Sequence, residues 1–225
     1  MYNPLKSVAI IATIFLLCSC NDGINIKIEE RVYQTEEGEA KLNVPDFSSD
    51  NAAEFAEQVN DIYNKEASAI IDRFFAKKTD GNKTSELGAD TVVERNDGRI
   101  VSVIFEGEVF TGGAHGEKFR MAKSFDFERG EEITLDKIFA DSAWKTVADN
   151  KMRKLAELGE GEYSQLWEIP STKLLEDENF YLKDNSLILY FPPYELSYYR
   201  RGYVEFEFEK EELAGYLSDY GREVL

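Results

Sequence analysis

The amino-acid sequence predicts an α+β fold of antiparallel sheets with helices packed on one face, arranged as two intertwined or tandem subdomains. Three observations carry this. Apolar residues recur at helical spacing over residues 51–78, and from Thr91 the period changes to two. Asp97-Gly98 separates two alternating runs, which is a hairpin signal. Strands and helices are also segregated along the chain, which disfavours a doubly wound parallel sheet. No repeat of solenoid length occurs.

The chain opens on Lys6, the apolar run Val8–Leu17, and then Leu17-Cys18-Ser19-Cys20. The run is too short to span a bilayer, and a small residue precedes a cysteine. This matches the lipobox of bacterial lipoproteins. The expectation is a leader over residues 1–19, cleavage after Ser19, and lipid on Cys20. That would fix the protein to a bacterial membrane, facing the periplasm or the cell exterior. A plain secretory leader and a retained anchor are the alternatives. Residues 20–130 then form an N-terminal half and 131–225 a C-terminal half.

Ile24, Ile26 and Ile28 alternate with Asn25, Lys27 and Glu29 and predict a half-buried strand. Leu42–Pro45 reads as a short edge strand stopped by its proline. Asn51 and Glu54 have capping-box spacing ahead of a helix striped by Phe55, Val59, Ile62, Tyr63, Ile70, Ile71, Phe74 and Phe75. Lys77, Lys78 and Gly81 suit its exit, and residues 79–90 read as a polar loop. Strands follow over 91–95, 100–110 and about 119–127, the last presenting Phe119, Met121, Phe125 and Phe127 inward. A further short strand is expected over 133–135. One helical turn is expected over 136–139. A longer helix from Ser142 is striped by Trp144, Val147, Ala148, Met152 and Leu155 and ended by Gly159. A hairpin spans 180–191, a strand with an acidic face spans 204–208, and a last helix spans 210–220.

Composition narrows the functional classes. The formal net charge is −18. That opposes binding to nucleic acid, whose phosphates need basic side chains, and to anionic headgroups; it either serves solubility in a crowded envelope, the reading preferred here, or draws in a basic partner. Cys18 and Cys20 are the only cysteines, so the domain has neither a disulfide nor a thiolate metal site. His115 is the sole histidine, which excludes two-histidine zinc sites and the Asp-His-His zinc set of polysaccharide deacetylases. No cofactor or metal is expected.

Two stretches stand out. Thr111-Gly112-Gly113-Ala114-His115-Gly116 brackets the histidine with glycines, which free the backbone for positive φ and close approach. It is either a recognition loop in which Thr111, Gly112, Gly113 and His115 meet a ligand, or a tight connection whose histidine satisfies nearby carbonyls. The second stretch, residues 190–203, holds five tyrosines and two arginines behind Pro192-Pro193. Tyrosine and arginine dominate interface hot spots, and aromatic faces stack on sugar rings. Tyr194 suits a structural pin, while Tyr198, Arg200 and Arg201 fit a pin or a binding surface equally.

The T-G-G-A-H-G loop followed by Y-E-L-x-x-Y-x-x-G at Tyr194–Gly202 resembles the PdaC/RsiV-like superfamily of bacterial extracytoplasmic domains. The resemblance covers roughly Ile24 to Leu217. It implies a sensor-type domain that recognises lysozyme, or a domain attached to a peptidoglycan deacetylase. The chain departs from both patterns. It shows no sigma-binding segment and no deacetylase catalytic domain. Arg200 and Arg201 stand where small residues are expected, and Tyr198 where a proline is usual. The resulting expectation is a non-enzymatic binding domain for a cell-wall glycan fragment or a basic muramidase. Its rivals are a hydrolase using His115 as general base and a structural partner in an envelope complex.

Overall fold

The computed structural model describes residues 8–12, 23–35, 38–76, 85–175 and 179–225. Cys20, Lys77, Lys78 and Gly81 lie outside them. The described elements run β1 Val8–Ala12, β2 Ile24–Thr35, β3 Gly38–Ser49, α1 Ala53–Ala76, β4 Ser85–Asn96, β5 Ile100–Phe110, β6 Glu117–Asp126, β7 Glu131–Glu132, α2 Leu135–Ile138 and α3 Trp144–Leu158. They continue with β8 Phe180–Lys183, β9 Ser186–Phe191, β10 Val204–Glu209, α4 Lys210–Leu213 and α5 Asp219–Val224. The first seven strands are ordered β1-β2-β3-β4-β5-β6-β7, and a second sheet is ordered β10-β9-β8. The fold is thus α+β. The chain divides into one unit of Met1–Val92 with Phe105–Arg120 and a second of Val93–Ile104 with Met121–Leu225. Strands β4, β5 and β6 each pass from one unit into the other.

In the first unit, β2 and β3 pair antiparallel along their whole length, from Ile24↔Ser49 to Thr35↔Gly38. Strand β1, within the N-terminal apolar run, pairs antiparallel with the far end of β2. One pairing departs from the antiparallel pattern. Gly38–Leu42 of β3 runs parallel to Ser85–Ala89 of β4, because α1 returns the chain to the same end, as a parallel pair requires.

Pro45 does not stop the strand. It pairs with Ile28 in the middle of a twelve-residue strand. Two residues on, the Phe47 N–H donates to Asn60 Oδ1 at 2.7 Å, and Asn60 Nδ2 donates to the Phe47 carbonyl at 2.9 Å. Phe47 and Pro45 therefore face their amide positions away from β2, beyond the β4 pairing that runs to Leu42↔Ala89. The proline leaves no ladder bond unmade.

Helix α1 buries Ala56, Val59, Tyr63, Ala67, Ile70 and Phe74. Phe55, Ile62, Ile71 and Phe75 are only half-buried on the flanks. The stripe is thus rotated towards two alanines, which let the helix approach the sheet. Tyr63 packs between Phe47 and Phe105, with ring centroids at 5.5 and 6.4 Å. The polar loop expected over 79–90 is in part strand. Ser85, Leu87 and Ala89 are buried in alternation with exposed Glu86, Gly88 and Asp90.

The second unit is built on the apolar β8–β9 hairpin and the inner face of β10, with Phe180, Leu182, Leu187, Leu189, Phe191, Phe206 and Phe208 packed against Trp144, Ala148 and Met152 of α3. Gly159, at φ 61°, caps α3 as expected. The last helix is two helices. Leu217 bridges to Phe139 between them, and Ser218 restarts the helix by accepting from the Gly221 N–H at 2.9 Å. Asp126, with a fully buried side chain, ties this end down. It pairs with Arg99 at 2.9 Å, accepts from the amides of Glu128 and Arg129 at 3.1 Å, and receives the Tyr220 hydroxyl at 3.3 Å.

Candidate functional site

The glycine loop belongs to the first unit and joins β5 to β6. Gly112 and Gly113 have φ of 99° and 113°, values that side chains with a Cβ rarely take. His115 is exposed, and its Nδ1 lies 2.8 Å from the Gly116 carbonyl. A carbonyl only accepts, so Nδ1 carries the proton, and Nε2 is the basic nitrogen of the neutral ring. The Gly116 N–H donates to Glu108 Oε1 at 3.1 Å. A cleft in the same unit is lined by Ile70, Arg73, Phe74, Val109, Glu117 and Phe119. None of Thr111, Gly112, Gly113 or His115 reaches it.

The tyrosine-arginine loop belongs to the second unit and leads from β9 to β10. Its root is fixed. Leu196 and Ser197 are buried, and the Leu196 carbonyl accepts from the Trp167 N–H at 3.0 Å. Ser197 Oγ donates to the Gln165 carbonyl at 3.4 Å. The Arg201 guanidinium donates to the carbonyls of Ser164 and, at 3.0 Å, Gly161. Arg201 is therefore a pin that sews the loop to residues 161–167. Tyr194 has φ 74°; it is 54% exposed and stands 5.5 Å from the Tyr199 ring.

The outer face of this loop is different. Tyr198 is 59% exposed and Trp167 49% exposed, and their rings meet edge to face at 4.9 Å. The Trp167 indole N–H donates to the Glu195 carbonyl at 3.3 Å, which fixes the ring plane. Arg200 is exposed, and its side chain has no hydrogen bond or ion pair with a described residue. An open cleft of about 670 Å³ is lined by Ser164, Gln165, Ser197, Tyr198, Arg200 and Arg201. An indole ring held in a fixed plane against an exposed tyrosine, with a guanidinium in the same loop, can stack on a pyranose and bond its polar substituents.

Tyr198, Arg200 and Arg201 thus share one cleft, while Thr111, Gly112, Gly113 and His115 belong to the other unit. Trp167 was not among the residues singled out from the sequence. It sits in an aperiodic polar segment, and only its being one of two tryptophans set it apart. Among the described residues, no cluster of three or more His, Cys, Asp or Glu side chains could hold a metal, and no helix is long and apolar enough to cross a membrane.

Solved structures share the fold. A DUF3298 family protein from Pseudomonas aeruginosa matches 97% of this chain and 96% of its own at 16% identity with a TM-score of 0.60. A member of the same family from Bacteroides fragilis matches 96% of each chain at 15% identity with a TM-score of 0.54. The fold is therefore the two-sheet α+β fold of these proteins. Residues 31–118 match the family model described as "Deacetylase PdaC". Residues 131–211 match DUF3298, described as a protein of unknown function. The chain is thus similar to PdaC over its first half and to DUF3298 over its second, in keeping with the resemblance to PdaC/RsiV-like domains.

A curated relative, the peptidoglycan-N-acetylmuramic acid deacetylase PdaC of Bacillus subtilis, is 23% identical over 120 residues, 51% of this chain. The match spans 26% of that relative's length. This finding corrects the expectation of a non-enzymatic chain: the relative is named for an enzymatic activity, so the comparison points towards catalysis.

Proposed function

We propose that this chain is a lipid-tethered cell-envelope domain that engages peptidoglycan glycan through Trp167, Tyr198 and Arg200, within the wall chemistry for which its relative is named. The carrying observation is the edge-to-face Trp167–Tyr198 pair, 49% and 59% exposed, with Arg200 nearby in the chain and without a partner among the described residues. Exposed aromatic area of this kind is costly to leave in water unless something covers it. Arg201 and Leu196 hold the loop root, so little order has to be gained on binding. The lipobox at Cys20 supports the tether, and a protein held at the membrane meets the wall at high effective concentration.

A second reading is supported by the net charge of −18: a basic muramidase as the partner, drawn in by the acidic surface.

Co-sedimentation with purified insoluble peptidoglycan tests the proposal. The intact chain is expected to sediment with the wall, and Trp167→Ala and Arg200→Ala each to weaken retention about tenfold. Equal retention of both variants would refute the surface. Salt-sensitive capture of a muramidase without retention by the wall would favour the second reading. Acetate release followed in the same incubation reads whether the chain also acts on the glycan it holds. Mass analysis of the mature amino terminus reads the lipid on Cys20.

A further inference from the structure

The second unit contains a cleft of about 310 Å³ between α2 and α3 that the glycan proposal does not use. Its floor is the Phe139–Trp144 pair, stacked at 4.2 Å with planes 10° apart. Leu135 and Ala140 extend the apolar floor, and Thr172 and Leu175 form the far wall. That wall is held in place. Asp149 of α3 accepts from the Thr172 N–H at 2.6 Å and from Ser171 Oγ at 3.4 Å. The cleft is therefore built by the fold.

Its rim carries charges of both signs. Among the described residues Asp136 accepts only from the Thr134 hydroxyl, and Asp141 accepts from the Ala143 N–H at 2.7 Å. The Lys145 ammonium lies 5.8 Å over the Trp144 ring. Lys145 forms no ion pair with either aspartate or with any other described residue. An anion would meet two carboxylates here, and a simple cation would meet the lysine. A purely apolar guest would strip water from three charges and return nothing. A guest with both charges and an apolar body satisfies every group on the rim.

We propose that this cleft binds a small zwitterion with an apolar body, an amino acid or a dipeptide. Lys145 takes the carboxylate, Asp136 and Asp141 take the ammonium, and the Phe139–Trp144 floor takes the body. The volume falls at the lower end of ligand pockets, which suits a guest of this size.

Trp144 and Trp167 are the only tryptophans, so the full-length Trp167→Phe chain reports on this cleft alone by fluorescence. Alanylalanine is expected to change that fluorescence saturably. The N-acetylated and the C-amidated dipeptides are each expected to bind roughly three- to fivefold more weakly, as exposed charge pairs allow. In Lys145→Gln the penalty for the amide should vanish while that for the N-acetyl form persists. In Asp141→Asn the reverse should hold, and the asparagine still offers an oxygen to Ala143. No signal at millimolar dipeptide, or equal binding of free and blocked forms, overturns the proposal. The blocked ligands read the outcome without any rim substitution, and wall retention plays no part in it.

Discussion

The two loops that stand out in the sequence do opposite things with their chemistry. In Thr111–Gly116 the residues serve the backbone. Two glycines take positive φ, Gly116 gives its N–H to Glu108, and the histidine gives its Nδ1 proton to a carbonyl one residue away. In Tyr194–Arg201 the backbone serves the residues. Leu196, Ser197 and Arg201 are committed to holding the loop, so that Tyr198 and Arg200 are presented outward with Trp167. An unusual composition marks a loop as constrained. Only the partners of each side chain show whether the constraint makes a turn or a surface.

The largest effect that separates backbone requirement from surface lies in β5. A Cβ on Gly107 would come 2.1 Å from the Gly88 carbonyl oxygen and 2.8 Å from the Ala89 Cα. Backbone atoms of a paired strand cannot swing aside. Gly107→Ala is expected to cost about 3 kcal/mol, near the upper end for overpacking, read as a fall in the denaturation midpoint. A loss under about 0.5 kcal/mol would mean the strands can part there without penalty.

Next in size is Asp126 in the second unit. Burial pushes its carboxyl up, but the Arg99 guanidinium and the amides of Arg129 and Glu128 outweigh it and hold the group below the usual carboxylate range. Asp97 and Glu212, in the same unit, are lowered too. For Asp97 the amides of Ile100 and Arg99 overcome burial, and for Glu212 the Lys151 ammonium does so. A carboxylate depressed in the folded state adds stability that is complete above its unfolded value. That stability is lost as pH falls through the folded value. Acid unfolding is therefore expected to begin in the second unit, below about pH 4. Asp126→Asn should cost about 2 kcal/mol at neutral pH and flatten the acid limb. A parallel, unflattened limb would assign the acid sensitivity elsewhere.

Third is the pin. Arg201→Ala removes donors to two carbonyls and is expected to cost about 1.5 kcal/mol. The loss should appear as faster proteolysis within residues 161–167 as well as weaker wall retention. Arg200→Ala should weaken retention with no change in the midpoint. Equal stability losses in the two would show that neither arginine is the free one.

Much of this was legible beforehand. Strong periodicity located α1, β5, β9, β10 and α3, and the glycine at position 159 marked a real helix end. Failures came where a neighbour overrode a local rule. Pro45 reads as a stop until Asn60 is seen to serve the amide side where β4 is no longer paired. Residues 85–90 read as loop because small residues hid the alternation, with Leu87 the one large apolar side chain. Residues 210–220 read as one helix because nothing local reveals that Gly221 must sit against the Ile138 carbonyl, where a Cβ would come within 2.0 Å. The arginines were legible as a pair but not as a pin and a free group. That difference lies in the carbonyls of Gly161 and Ser164, about forty residues away in sequence. Trp167 was invisible as a surface residue because a lone tryptophan gives no period.

The smallest effect bears most directly on the contrast between the loops. Gly113 has φ 113° and open space where a Cβ would stand. Gly113→Ala therefore meets no clash, and its only penalty is backbone strain, about 1 kcal/mol. If the glycine loop is a backbone device, this variant loses that much stability and sediments with peptidoglycan as the intact chain does. A variant that kept its midpoint but lost the wall would make the amides of Gly112 and Gly113 contact groups. Recognition would then be a property of both loops. Pairing Gly113→Ala with His115→Ala sharpens the reading, because the imidazole bonds its own loop one residue away. If both leave retention unchanged, the histidine's conspicuous position reflects the turn it closes.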